Sequence, residues 1–166
     1  MENSSLEKLR YPIGQFTTPT NYTEDYLSEK IFEIESFPAK LKEETLHLTT
    51  DQLDTPYRKD GWTIRQVIHH CADSHMNCYI RIKWALTEDN PVIKSYFEEL
   101  WSDFNDNLTM PIAATIALLE GLHFRLAYIM KNLSEIDLEK TFTHPEHNKI
   151  VSIKEQIGTY AWHGNH

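Results

Sequence analysis

Trp62-Thr63-Ile64-Arg65-Gln66-Val67-Ile68-His69-His70-Cys71-Ala72-Asp73-Ser74, residues 62–74, is the stretch whose reading decides the fold. Thr63 with Gln66 three residues later makes a capping box, in which each side chain satisfies the other residue's backbone N–H. It opens a helix over about 64–88. On it Ile64, Val67, Cys71, Cys78, Ile82 and Leu86 recur at helical spacing, and Asn90-Pro91 ends it. Beside the apolar stripe runs a polar one: Gln66, His70, Ser74, Asn77 and Arg81, with Asp73 one turn from His70. A polar stripe on an amphipathic helix is ordinarily its solvent face. Two adjacent histidines well inside the helix argue against that reading.

Working outward, Thr23 caps an earlier helix with Glu24 and Asp25 in its first turn and Tyr26, Leu27, Ile31, Phe32 and Ile34 as apolar positions. Pro38 is expected to kink or restart it, with the pattern resuming through Leu41, Leu46 and Leu48. Residues 1–22 carry Pro12, Gly14 and Pro19 and read as an extended arm. Residues 54–61 are a loop by their Pro, Asp and Gly content, and 95–105 read as a short helix. A third long helix starts at Thr109-Met110-Pro111, with Ile112, Ile116, Leu119, Leu122, Leu126, Ile129 and Met130 on one face. Residues 141–152 read as a β-hairpin around the loop Pro145-Glu146-His147-Asn148-Lys149. Ser152 and Glu155 form a second capping box opening a fourth helix, with Ile153, Ile157, Tyr160 and Ala161 on one side. That helix meets no stop signal before His166, so the natural C-terminus is expected beyond it. The expected architecture is all-α: a single domain, an up-down four-helix bundle with a small β-hairpin before the last helix.

The chain has 166 residues and a net charge of −9, from 16 basic and 25 acidic residues. That balance excludes a grip on nucleic acid or on an anionic membrane surface, both of which need basic patches. No run of 18 consecutive apolar residues is present, so no membrane span is expected. The N-terminus lacks a basic-then-apolar leader pattern, and the expected compartment is the cytoplasm. Cys71 and Cys78 lie seven apart on one helix, about 10.5 Å between Cα atoms, beyond the reach of a disulfide.

Nine histidines are the unusual count. His163 and His166 share a helix at a spacing of three, which can bring two imidazoles to one metal ion. A histidine from the second long helix meeting one or two from the fourth gives a catalytic-type metal site with open positions. His75 reads as a packed core histidine, and His123 has no partner at ligand spacing. His47 lies near a helix end, and His144 and His147 flank the hairpin loop. No Gly-x-Ser-x-Gly elbow, phosphate-cradling glycine loop or carboxylate dyad is apparent.

RYPIG at 10–14, LDTPYRKDGWTIRQVIHHCADSHMN at 53–77, Tyr79-Ile80-Arg81, LLEGLHFR at 118–125 and TYAWHGNH at 159–166 resemble the DinB/YfiT-like proteins. These are four-helix bundles with a metal in the core, and the YfiT group of proposed metal-dependent hydrolases is the nearest match. The resemblance implies a metal-binding histidine eight positions after the tryptophan of Trp-[Ser/Thr]-x-Arg-[Gln/Glu], which is His70. It implies two more from a His-x-x-x-His pair on the last helix. The first is His163; the second falls at position 167, and His166 does not fit the pattern. Catalytic residues other than ligands are not implied. Three neutral imidazoles suit Zn²⁺, with Ni²⁺ as the alternative, one per subunit. The implied activity is hydrolysis of a small-molecule substrate by a metal-activated water, in a homodimer. The alternatives are a bacillithiol or other low-molecular-weight-thiol S-transferase using the same metal, and a non-enzymatic interaction bundle. Asp73, Asn77 and Arg81 stand as candidate supports or substrate anchors.

Overall fold

The computed structural model describes residues 2–146 and 148–166, with backbone alone for 2–5; His147 of the hairpin loop lies outside the described residues. Four long helices carry the fold: α2 (Glu24–Thr45), α4 (Ile64–Thr87), α7 (Ile112–Lys131) and α9 (Ile153–Asn165). A short helix, α1 (Glu2–Arg10), precedes them, and others link them: α3 (Thr50–Leu53), α5 (Glu98–Ser102), α6 (Asn105–Thr109) and α8 (Glu135–Glu139). A hairpin of β1 (Thr141–His144) and β2 (Lys149–Ser152) pairs antiparallel with Phe142 opposite Val151. The four-helix bundle with a small hairpin before the last helix is therefore the fold.

The order of the helices around the bundle departs from a simple meander. α2 packs on α7 and α9, and α4 packs on the same two, so α2 and α4 face each other diagonally, as do α7 and α9. The core at the hairpin end joins Ile34, Cys78, Ile82, Leu126, Phe142, Ile153 and Ile157. α7 is long and apolar enough to cross a membrane by length and composition alone. Its residues Ile116, Leu119, Leu126 and Met130 are buried in the bundle, while Leu118, Phe124 and Tyr128 are exposed on its outer side.

Several local expectations change. The N-terminal arm begins with a helix, α1, before turning extended; Gly14, at φ +80°, makes the turn. Trp162 then donates its indole N–H to the Gly14 carbonyl, holding the arm against α9. Phe32 is 64% exposed, because α2 turns Leu27, Ile31 and Ile34 inward and Phe32 sits on the opposite flank. Pro38 does not divide α2, which runs through it as one helix. Ser152 caps α9 by accepting from the Glu155 N–H, but the Glu155 carboxylate turns to Lys149 and does not return to the cap. The short helix expected over 95–105 is α5, and a second one, α6, follows it from Asn105 to Thr109.

Candidate metal centre

The start of α4 is locked as its sequence dictates. Thr63 and Gln66 satisfy each other's N–H, and the Gln66 amide also donates to the Ser102 carbonyl. Arg65 pairs with Asp54 at 2.7 Å and donates to the Met110 carbonyl. Arg65 and Gln66 thus fix the helix and its neighbours. They do not reach the histidine cluster.

His69 and His70 take opposite roles. His69 Nδ1 lies 2.6 Å from the Thr115 hydroxyl and Nε2 lies 3.1 Å from the Met110 carbonyl. The carbonyl only accepts, so Nε2 carries the proton and Nδ1 accepts from Thr115. Both nitrogens are spent tying α4 to the start of α7. His70 makes no such bonds: its ring lies between Trp62, at 4.7 Å between centroids, and His163, at 5.5 Å. Burial takes its pKa down to about 4, so the ring is neutral with a lone pair to offer.

Behind His163 stands a chain of imidazoles that periodicity does not reveal. Pro38 has no N–H, so the Ile34 carbonyl four residues earlier lacks its helical donor. His123 fills the gap from α7, its Nδ1 2.5 Å from Ile34 O. Because the carbonyl can only accept, His123 Nδ1 carries the proton and Nε2 becomes an acceptor. His75 Nδ1 lies 2.7 Å from that acceptor and donates to it. His75 Nε2 is left as an acceptor, 3.0 Å from His163 Nδ1, which donates in turn. His163 therefore keeps an Nε2 lone pair. Burial lowers all three pKa values: His123 below its usual value, His75 well below, aided by its histidine neighbours, and His163 to about 3. The rings are neutral, as this one-way donation requires. Phe37 stacks on His75 and His123, with centroids 5.1 and 5.2 Å away.

His75 is the packed core histidine expected, 1% exposed, and His123, expected to lack a partner at ligand spacing, meets it across the core; both also stand behind His163. The signals for them were a proline inside a helix, which leaves a carbonyl to be filled, and a histidine on an otherwise apolar helix face. His166 goes elsewhere: its Nε2 donates to the Arg10 carbonyl at 2.6 Å, and its ring packs on Trp162. Among the described residues no three His, Cys, Asp or Glu side chains form a ready metal cage. The donor set nevertheless fits a metal in part, since His70 and His163 are neutral, adjacent and each hold an unspent nitrogen.

The polar stripe of α4 is not a solvent face. Gln66, Ser74 and Arg81 are buried beneath the segment 91–102. That segment is pinned to the hairpin, with Thr143 N–H on the Pro91 carbonyl and Ile93 N–H on the Thr143 carbonyl. Between it and the bundle runs a cleft of about 450 Å³ reaching His163, Ser74, Arg81, Tyr96 and Tyr160, with Glu98, Glu99 and Glu146 exposed along it. Tyr160 donates to the Ser74 carbonyl and accepts from the Ser74 hydroxyl. Burial raises both tyrosine pKa values, Tyr96 to about 12, so both remain protonated donors at neutral pH.

Known proteins resemble this chain closely. A proposed metal-dependent hydrolase of Oceanobacillus iheyensis is 50% identical over 157 residues, covering 95% of this chain and 90% of that protein. One from Bacillus mycoides is 48% identical over 161 residues, 97% and 92% of the two chains. The solved structure of YfiT from Bacillus subtilis superposes with a TM-score of 0.94 at 41% identity, covering 96% of this chain and 91% of that one. That protein is a probable metal-dependent hydrolase with an unusual four-helix-bundle topology. Residues 34–166 match the DinB superfamily, and the chain belongs to that superfamily.

Proposed function

We propose that this protein is a metal-dependent hydrolase acting on a small-molecule substrate, with His70 and His163 holding the metal. The observation that carries the reading is the pairing of two neutral imidazoles, each with an unspent nitrogen, one of which, His163, lines a cleft. The third protein ligand, by the His-x-x-x-His pattern, belongs one helical turn after His163, at position 167. The preferred metal is Zn²⁺, with Ni²⁺ as the alternative, one per subunit. When bound, such an ion supplies Lewis acidity that brings a water's pKa towards neutrality. The chain's own residues do the rest. Trp62 packs on the His70 ring, and His75 holds His163 by its Nδ1–H. Tyr96 and Arg81 line the space where a substrate would lie.

The test is elemental analysis of purified full-length protein beside His70→Ala. The wild type is expected to hold one Zn or Ni per subunit, and the variant to lose nearly all of it while keeping its helical circular dichroism. A wild type that holds no metal after loading overturns the reading. The loaded protein is then assayed on ester and amide substrates and, separately, with bacillithiol and an electrophile. Conjugation above background without hydrolysis replaces hydrolase with thiol transferase.

A further inference from the structure

Arg81 has no evident structural role. It projects from α4 into the cleft that reaches His163 and is 9% exposed. Its Nε is fully buried and has no hydrogen-bond partner, and among the described residues its guanidinium forms no ion pair. The contrast with Arg65 on the same helix is direct, since Arg65 is equally buried but paired with Asp54. A buried cation without a counter-charge is costly to the fold. Among the described residues no carboxylate pairs with it, and the group lines an open cleft together with Tyr96 and Tyr160.

We propose that Arg81 is an anion-binding subsite and that the substrate carries a carboxylate, which seats on the guanidinium with its reacting group at His163. The proposal deepens the hydrolase reading and rests on it for the second half of that statement. A guanidinium fork matches a carboxylate in bidentate fashion, and Tyr96 lies in the same cleft as a further donor. Phosphate offers similar oxygens but brings a second negative charge. Glu98, Glu99 and Glu146 line the cleft, and partial withdrawal of the Glu98 carboxyl from water, together with the charges of Glu99 and Glu146, raises its pKa. None of these carboxylates pairs with Arg81, but they face the same cleft and add negative charge there, so a monoanion is favoured over a dianion.

The experiment follows the Arg81 Nε–H signal of ¹⁵N-labelled full-length protein, assigned by its absence in Arg81→Met. Acetate and inorganic phosphate are titrated at constant ionic strength, into both metal-loaded and metal-free protein. Acetate is expected to move the signal saturably in both states, and phosphate to bind more weakly. Arg81→Lys should weaken the acetate effect on the neighbouring Tyr96 signals at least tenfold, and Arg81→Met should abolish it. Arg81→Met should also raise the melting temperature by about 2–4 °C, because it keeps the stem and removes the unpaired charge. No saturable shift with either anion, or a fall in melting temperature in Arg81→Met, overturns the subsite. Phosphate binding as tightly as acetate overturns the choice of carboxylate. A wild type that takes up no metal yet shows the acetate shift removes the enzyme reading and leaves the subsite standing.

Discussion

Which nitrogen of His163 carries its proton is settled at Pro38, on another helix. The missing proline N–H frees the Ile34 carbonyl, His123 fills it, and each ring in turn must donate through Nδ1. The outcome is an Nε2 lone pair on the residue proposed to hold the metal. Replacing His75 by Phe should keep the packing and lose the orientation. Metal affinity is expected to fall 10–100-fold, the usual cost of removing a group that holds a metal-binding histidine. His75→Gln can accept from His163 and donate to His123, and should recover part of the loss. Long-range ¹H–¹⁵N spectra of the metal-free protein should show His75, His123 and His163 all as Nδ1–H tautomers. An Nε2–H signal for His163 in the wild type would contradict the chain of donors.

At the scale of the element, the same contact bolts α7 to α2. His123→Phe leaves the buried Ile34 carbonyl without a donor, and stability should fall by about 1–3 kcal/mol in urea unfolding. Pro38→Ala supplies the missing backbone N–H. In that background the cost of His123→Phe should shrink by about 1 kcal/mol, whereas unrelated sites add within roughly 0.5 kcal/mol. Strict additivity would show that proline and histidine are not compensating one another. The pair also marks what sequence can and cannot reveal. The caps at Thr23, Thr63 and Ser152 and the apolar faces of α4 and α7 are local signals, so the helices and the hairpin are legible. The stripe from Gln66 to Arg81 was legible as a face but not as a buried one, because segment 91–102, which covers it, folds back from elsewhere. His70 and His163 were named by resemblance, and the structure brings their rings together. His75 and His123 were not, since their contacts join residues 48 and 88 positions apart.

Across the whole molecule the four donors and acceptors visit every long helix once, in the order they pack: Ile34 on α2, His123 on α7, His75 on α4 and His163 on α9. The centre of the bundle is therefore held together by neutral imidazoles, which ties global stability to pH. His70, with a pKa of about 4, His163, at about 3, and His75, well below its usual value, are all depressed by burial. The unfolded chain takes up protons near pH 6.5 that the folded chain refuses, so stability is full above that point and falls as pH drops towards the folded values. At pH 5 His70 and His163 should each cost roughly 2 kcal/mol, and His75 adds to the loss in the same direction, against a total stability of about 5–15 kcal/mol for an ordinary domain. Asp73 and Glu98, whose pKa values burial raises, act in the opposite sense. They gain from acid, but mainly nearer the carboxylate range, after the histidine loss has begun. The metal-free protein should thus lose most of its urea resistance between pH 7 and 5. Metal loading should move that loss to lower pH, because lone pairs engaged by a metal resist protonation. A urea midpoint unchanged from pH 7 to 5 would mean that the imidazoles are not held neutral by the fold.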